Sequence, residues 1–409
     1  MVERRSYPDL HRCLSWYKIV QNSHTDLAES LPWTLQGRCS LALAEGRLLL
    51  LTENRDWLQR SRFSLTRAME SCVASGNISI SLHQGLSGLG WAALLVNRLL
   101  EPHERFDVSD VDDAVVDYFS GHEHENLDLI GGSSGLVVYA LAHPDPLFRC
   151  RIFDAYAASI RSRLAEWKSP TRPTTGLIPV ENGGAHRGPG ACLWNSGLAH
   201  GMPGILGVLA RIMSSGYKPA AMIDLLRQTT ACCIADIRSD DVHEYVGYFR
   251  DDPTPSRSAW CYGEPGFAAA LCASAAASGD DLLKQRATEL FCSSILQKDP
   301  DKRFLAEIGI CHGWSGILLT SRYISGFSSR PDNRLSRIYA LACAEIAQVL
   351  DGALANGSIP TVFAEGLPQA EQDLSFLCGA LGVLHVLIDG LDGCRRRDPD
   401  LPWADCLLL

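Results

Sequence analysis

The chain has 409 residues, 46% of them hydrophobic and 21% charged, which is enough to bury a sizeable core and rules out wholesale disorder. Thirty-seven Lys and Arg against 47 Asp and Glu leave a formal charge of −10, which argues against a nucleic-acid binder, because that role needs a basic face. The longest apolar stretches are short and broken by Gly, Ser or charge, and Met1 to Ser6 leads into no apolar run, so neither a membrane span nor a signal peptide is expected and the chain reads as soluble and cytoplasmic.

Taken in chain order, the first 75 residues are the least readable and are expected to be outer helices or an extension. From residue 85 a Gly-x-x-Gly unit opening an apolar run recurs six times, at Gly85/Gly88, Gly132/Gly135, Gly201/Gly204, Gly263/Gly266, Gly313/Gly316 and Gly379/Gly382. Successive first glycines lie 47, 69, 62, 50 and 66 residues apart, room for two helices and their connections, so the repeat is a helical hairpin. Glu101 to Asp128 holds ten acids and one Arg; Asp110, Asp112 and Asp113 open an amphipathic run and predict the start of a solvated outer helix rather than a docking surface for a basic partner.

The runs behind the glycines, such as Ile205 to Ala210 and Phe267 to Ala273, are apolar on every side and predict helices buried all round. Asp281 to Leu296 instead places Leu283, Ala287, Leu290 and Phe291 on one stripe, and Arg334 to Leu350 alternates in the same way. Loops rich in Pro, Gly, Ser or Asn are expected at Ser169 to Gly190, Asp251 to Ala259, Gly326 to Asn333 and Asn356 to Gln372, with almost no sheet. Buried inner helices that begin at glycines of similar depth, backed by one-faced outer helices, describe an all-α, closed, double-layered α/α barrel spanning residues 1–409 as one domain. The glycine turns then share one rim, where helix N-termini converge on a common cavity.

Fifteen cysteines occur without any Cys-x-x-Cys pair, which excludes a zinc ribbon or a thioredoxin-like site, and most are expected to be small buried hydrophobes. Cys311-His312-Gly313 opens the fifth glycine turn, and Trp260-Cys261-Tyr262-Gly263 puts a cysteine at the matching place in the fourth. Two thiolates and an imidazole on adjacent turns would make a three-ligand zinc set with one open position, although spacing alone equally allows two buried cysteines and a core histidine. His200 holds the corresponding place one repeat earlier, as an acid/base group or as a helix-capping histidine. Asp128 before the second turn could orient His200 or move a proton itself, or could simply cap a helix. His83 has no matching ligand set, and His122 and His124 beside the acidic loop are not assigned to a metal.

The turns Asp128-Leu129-Ile130-Gly131-Gly132-Ser133-Ser134-Gly135, Gly197-Leu198-Ala199-His200-Gly201-Met202-Pro203-Gly204, Arg257-Ser258-Ala259-Trp260-Cys261-Tyr262-Gly263-Glu264-Pro265-Gly266 and Ile310-Cys311-His312-Gly313-Trp314-Ser315-Gly316 together resemble the lanthionine synthetase C family, zinc cyclases that close thioether rings in lanthipeptides. The looser run Ser375 to Val383 completes a resemblance over roughly residues 80–390. The resemblance implies a barrel of seven hairpins, one more than the glycine pairs show, with the seventh disguised in the N-terminal third. It implies Zn2+ held by Cys261, Cys311 and His312, with His200, Asp128, Arg257 and Tyr262 as catalytic residues around it. It further implies a dehydrated precursor peptide as substrate, supplied by a separate dehydratase in an antibiotic-type biosynthetic complex. Cys378 stands where an acidic or other polar residue is more usual, and Gly131 replaces a larger one; both departures bear on substrate fit rather than on the metal set. Two other readings stay open: a zinc-dependent thiol alkyltransferase on a similar barrel, which would share the metal but use glutathione or a prenyl donor, and a non-catalytic peptide-binding member of the family with structural zinc.

Overall fold

The computed structural model describes residues 9–22, 31–76, 78–121, 126–167, 195–240, 243–250, 254–303, 305, 307–328, 330–357, 374–391 and 401–409. Ser169 to Gly190, most of Asn356 to Gln372, residues 251–253, and His122 and His124 lie outside them. The helices are α1 (Leu10–Asn22), α2 (Arg38–Thr52), α3 (Asp56–Ala74), α4 (Leu86–Val96), α5 (Ser109–Ser120), α6 (Ser133–Ala142), α7 (Pro146–Trp167), α8 (Met202–Ser214), α9 (Ala220–Asp236), α10 (Glu264–Ser278), α11 (Asp281–Leu296), α12 (Pro300–Arg303), α13 (Trp314–Ser325), α14 (Asn333–Asn356) and α15 (Ala380–Leu391). Among the described residues the only sheet is an antiparallel pair, β1 (Arg238–Ser239) with β2 (Glu244–Tyr245).

Helices α2, α4, α6, α8, α10, α13 and α15 form an inner ring in which each packs on the next and α15 returns to α2. Outside them lie α3, α5, α7, α9, α11 and α14, each against the inner helix before it, while α1 covers α15. The architecture is therefore a closed α/α barrel of seven hairpins, with the two ends of the chain completing the ring. The N-terminal residues, expected as outer helices or an extension, thus also supply an inner helix, α2. Its turn carries Gly37 but has Ser40 where the other turns have their second glycine, which is why the glycine pattern passes over it; the Ser40 hydroxyl instead meets His385 Nε2 of α15 at 3.1 Å.

The glycine pairs have a steric cause. Among the described residues, the turns fold back so that the carbonyl six residues upstream presses on the glycine at eleven of the twelve positions. A Cβ at Gly201 would lie 2.0 Å from the Asn195 carbonyl oxygen, and one at Gly204 would lie 2.4 Å from that of Leu198. No L side chain fits at such distances. Gly263 adds a φ of +108°, a conformation that glycine alone adopts cheaply.

Backbone hydrogen bonds lace one turn to the next around the rim. His83 N donates to Ile130 O (3.4 Å), Leu129 N to Ala199 O (3.2 Å), Ala199 N to Cys261 O (3.3 Å), Cys261 N to Cys311 O (3.1 Å), Cys311 N to Leu377 O (2.8 Å) and Phe376 N to Gln36 O (3.2 Å). Between the first and second hairpins a side-chain contact, Gln36 Nε2 to His83 Nδ1 at 3.3 Å, closes the circuit. Residues just before each glycine are therefore held in register at one level.

The outer layer follows its sequence pattern. Helix α11 buries Leu283, Ala287, Leu290 and Phe291, and α5 starts with Asp110 and Asp112 and buries Val111 and Val115. Helix α14 is long and apolar enough to cross a membrane by length and composition, contrary to the expectation that no stretch would qualify. In the barrel its Leu335, Ile338, Ala342, Ile346, Leu350 and Ala353 form a buried stripe against the layer beneath, the pattern of an amphipathic outer helix. Below the rim, residues 401–409 cross the barrel interior. Leu408 packs where a Cβ on Gly207 of α8 would stand, Trp260 Nε1 donates to Leu407 O (3.0 Å), and Arg211 donates to Leu409 O (2.7 Å).

A cavity of about 730 Å³ opens between α1, α2 and α3, and Glu45 lines it beside Gln21, Arg38, Arg60 and Phe63. Glu45 accepts hydrogen bonds from Tyr17 Oη (2.6 Å) and Ser64 Oγ (2.7 Å), yet burial pushes its carboxyl from the ordinary 4.5 up to about 7. The folded state thus holds this proton more tightly than the unfolded chain, so the associated stability is complete in acid and is lost as pH rises through about 7. Glu45→Gln is expected to flatten that dependence and to be the more stable protein at pH 8 by up to roughly 3 kcal/mol. Urea melts of both proteins at pH 5 and pH 8 check this, and parallel pH dependence in the two would contradict it.

Candidate metal centre and active site

The turns that precede α6, α8, α10 and α13 bring the predicted residues together. One ligand atom each from Cys261, Cys311 and His312 lies within 4.8 Å of the others. Cys261 is buried and the other two are half-buried. The rim hydrogen bond from Cys261 N to Cys311 O sets the two cysteines side by side, and His312 follows as the next residue.

The electrostatics favour an anionic sulfur. A hydrogen bond from Cys311 holds the Cys261 thiol well below its ordinary pKa, against the cost of burial and with help from His312 and Arg257. The Cys311 thiol is driven well above its own, first by that anion and then by the neighbouring Cys378 thiol and burial. His312 rises to about 10, mainly through Cys261 and then Glu307. Glu307 Oε2 sits 2.8 Å from His312 Nε2, which leaves Nδ1 facing the sulfurs. Two sulfurs and one imidazole nitrogen at this spacing, with a carboxylate fixing the far nitrogen of the ring, is a donor set that fits zinc with a position left for substrate.

Across the rim, His200 Nδ1 lies 2.6 Å from Asp128 Oδ2. The other oxygen of the buried Asp128 accepts from Ile130 N (2.5 Å) and Gly131 N (2.7 Å), so this residue both caps its turn and orients His200, joining two roles the sequence left as alternatives. Gly131, noted as smaller than usual, places its N–H in that cap. Burial lowers the His200 pKa, but the hydrogen bond and charge of Asp128, with Cys261, outweigh it and leave the imidazole above its ordinary value.

The Tyr262 ring packs 5.8 Å from His200 and 5.5 Å from Tyr248. Burial raises its hydroxyl to about 12, so it stays protonated. Arg257 lies near enough to feel the charge of both metal-site sulfurs, and its N and Nε donate to Tyr248 Oη at 3.3 and 3.4 Å. Lys298 anchors the segment before Arg257 by donating to Ser256 O (2.6 Å) while pairing with Glu264 Oε2 (3.1 Å) at the start of α10. His83 is not part of the donor set but lies near enough to feel the charges of Asp128 and His200: it is fully buried, meets Cys406 O at 3.3 Å and has its pKa lowered to about 4, chiefly by burial.

Four residues at the site were not identified as participants from sequence. Glu307 and Asn195 each stand six residues before a first glycine, and a polar residue recurring there (Ser79 and Asn126 are others) was the available signal. Tyr248 arrives on the strand-like segment between α9 and α10, with no repeat to mark it. Cys378, noted only as a departure, is brought beside Cys311 because Cys311 N and Ile310 N both bond Leu377 O at 2.8 Å.

The sequence matches the family model for lanthionine synthetase C-like protein over residues 30–408. It is 25% identical over 316 residues to the nisin biosynthesis protein NisC of Lactococcus lactis subsp. lactis, covering 67% of this chain and 70% of that protein. The fold is similar to the solved structure of nisin cyclase, with a TM-score of 0.73, 17% identity and 98% of each chain covered. The chain belongs to the lanthionine synthetase C-like family.

Proposed function

We propose that this protein is a zinc-dependent lanthipeptide cyclase that adds peptide Cys thiolates to dehydroalanine or dehydrobutyrine of the same peptide, forming lanthionine or methyllanthionine rings. The observation that carries the reading is the pairing, on one rim, of the Cys261, Cys311 and His312 donor set with the His200–Asp128 dyad. The names of the two relatives, a nisin biosynthesis protein and a nisin cyclase, support it.

Zinc held by Cys261, Cys311 and His312 would supply the charge that lets a substrate thiol, with an ordinary pKa of ~8.5, release its proton to solvent. The chain's own residues account for the rest. As the C–S bond forms at the β-carbon, the alkene electron pair moves onto the adjacent carbonyl as an enolate. Arg257 and Tyr262 stabilise the charge on that oxygen. His200, oriented through Nδ1 by Asp128, delivers a proton to the α-carbon and is reprotonated from solvent. The same proposal takes a dehydrated precursor peptide as substrate, a separate dehydratase as its supplier and the cytoplasm as the place of action.

The dyad beside the donor set argues against a purely peptide-binding role, which has no use for a positioned proton donor. Incubating the protein with a dehydrated Cys-containing peptide, with glutathione plus an alkylating partner, and with a thiol plus a prenyl donor tests the reading. Accelerated loss of free thiol without mass change in the first alone is expected; turnover only in the second or third would overturn it.

A further inference from the structure

We propose that Asn195 is a positioning residue that fixes the direction of the Tyr262 hydrogen bond, so that Tyr262 presents its O–H to the substrate carbonyl. The inference rests on the cyclase reading in taking Tyr262 to face the enolate oxygen; the hydrogen-bond direction itself does not.

An amide side chain can be built either way round, and its neighbours decide which is correct. Gly197 N–H lies 2.8 Å from Asn195 Oδ1, and a backbone N–H can only donate. The oxygen must therefore face Gly197, which turns Nδ2 toward Tyr262 Oη at 2.8 Å. An NH2 group also only donates, so the phenol oxygen accepts at this contact and its own proton is left for another partner. The amide has little freedom to reverse. Asn195 is 4% exposed, its carbonyl accepts from Met202 N at 3.2 Å and presses on Gly201, and its backbone bridges to Phe249. The Tyr262 ring in turn is packed against His200 and Tyr248.

This arrangement matters to an enolate because a carbonyl oxygen gaining charge needs donors, and a phenol whose proton was committed to a protein acceptor would offer lone pairs instead. Aspartate has the shape of asparagine but only accepts, so it would draw the Tyr262 proton toward itself. It would still accept from Gly197, so the turn keeps its hydrogen bond in Asn195→Asp.

The test combines spectroscopy and kinetics. With ring-labelled tyrosine, the infrared spectrum of wild type minus Tyr262→Phe isolates the Tyr262 C–O stretch, which shifts in opposite directions for a phenol that accepts and one that donates. Asn195→Asp is expected to move this band in the donor direction relative to wild type. In ring closure, Asn195→Ala is expected to lower kcat about 10-fold with little change in KM, and Asn195→Asp about 100-fold. In a Tyr262→Phe background neither should cost more than about twofold further. An unmoved band in Asn195→Asp, or the same kinetic loss repeated in the Tyr262→Phe background, would overturn the proposal. A wild type that closes no rings while the band shifts as expected would sink the cyclase reading and uphold the hydrogen-bond direction.

Discussion

Cys311→Ala is expected to lose most of the zinc that purified wild type should carry at near one per chain. The site has three protein donors, Cys261, Cys311 and His312, and removing one leaves too few to compete with water and buffer. Glu307→Gln should be milder, about 10-fold in metal affinity by chelator competition, because it loosens the imidazole without removing a donor. Elemental analysis of the purified proteins checks the first expectation and chelator competition the second. Unit zinc in a triple alanine variant at 261, 311 and 312 would refute the assignment.

His200→Ala is expected to keep its zinc and to slow cyclisation by roughly 100-fold or more, the usual scale for a lost general acid. With Nδ1 bound to Asp128, Nε2 is the atom left to exchange a proton. The raised pKa keeps a larger share of the ring protonated near neutrality, the form an acid must hold. Activity that needs this form should fall as pH rises through the His200 pKa. Asp128→Asn removes the negative charge that raises it, so the alkaline limb of the pH–rate profile should move to lower pH. An unchanged rate in His200→Ala would shift the acid role to Asp128 or Tyr262.

The barrel was legible in the sequence because its turns carry a steric requirement that a residue type records. A carbonyl pressed this close admits only glycine, and among the described residues this happens at both glycines of five turns and at Gly382 of the last, so six hairpins announced themselves. The first did not, because at Ser40 the second close approach is replaced by a hydroxyl bonded to His385; the family match from residue 30 includes the part of the chain that the motifs missed. Cys261, Cys311, His312 and His200 were legible for a related reason, since rim hydrogen bonds hold the residues before each first glycine at one level.

Glu307, Asn195 and Tyr248 were harder to find because each lies outside the Gly-x-x-Gly unit and acts through a side-chain contact that no periodic pattern records, as Glu307 does on His312. Asn195 meets Tyr262 from the preceding repeat, and Tyr248 reaches Arg257 from a segment whose paired strands are two residues each, too short to alternate. The role of residues 401–409 was hidden for the same reason: they cross the barrel to Gly207, Arg211 and Trp260, and no periodic pattern records such a contact.

The most direct test follows free thiols over time in one dehydrated, Cys-containing peptide, with wild type, Cys311→Ala, His200→Ala and no protein run side by side. Rapid thiol loss at constant mass is expected with wild type, a rate near the uncatalysed one with Cys311→Ala, and a zinc-loaded but slow reaction with His200→Ala. Thiol loss in the wild-type reaction no faster than without protein would contradict the cyclase reading.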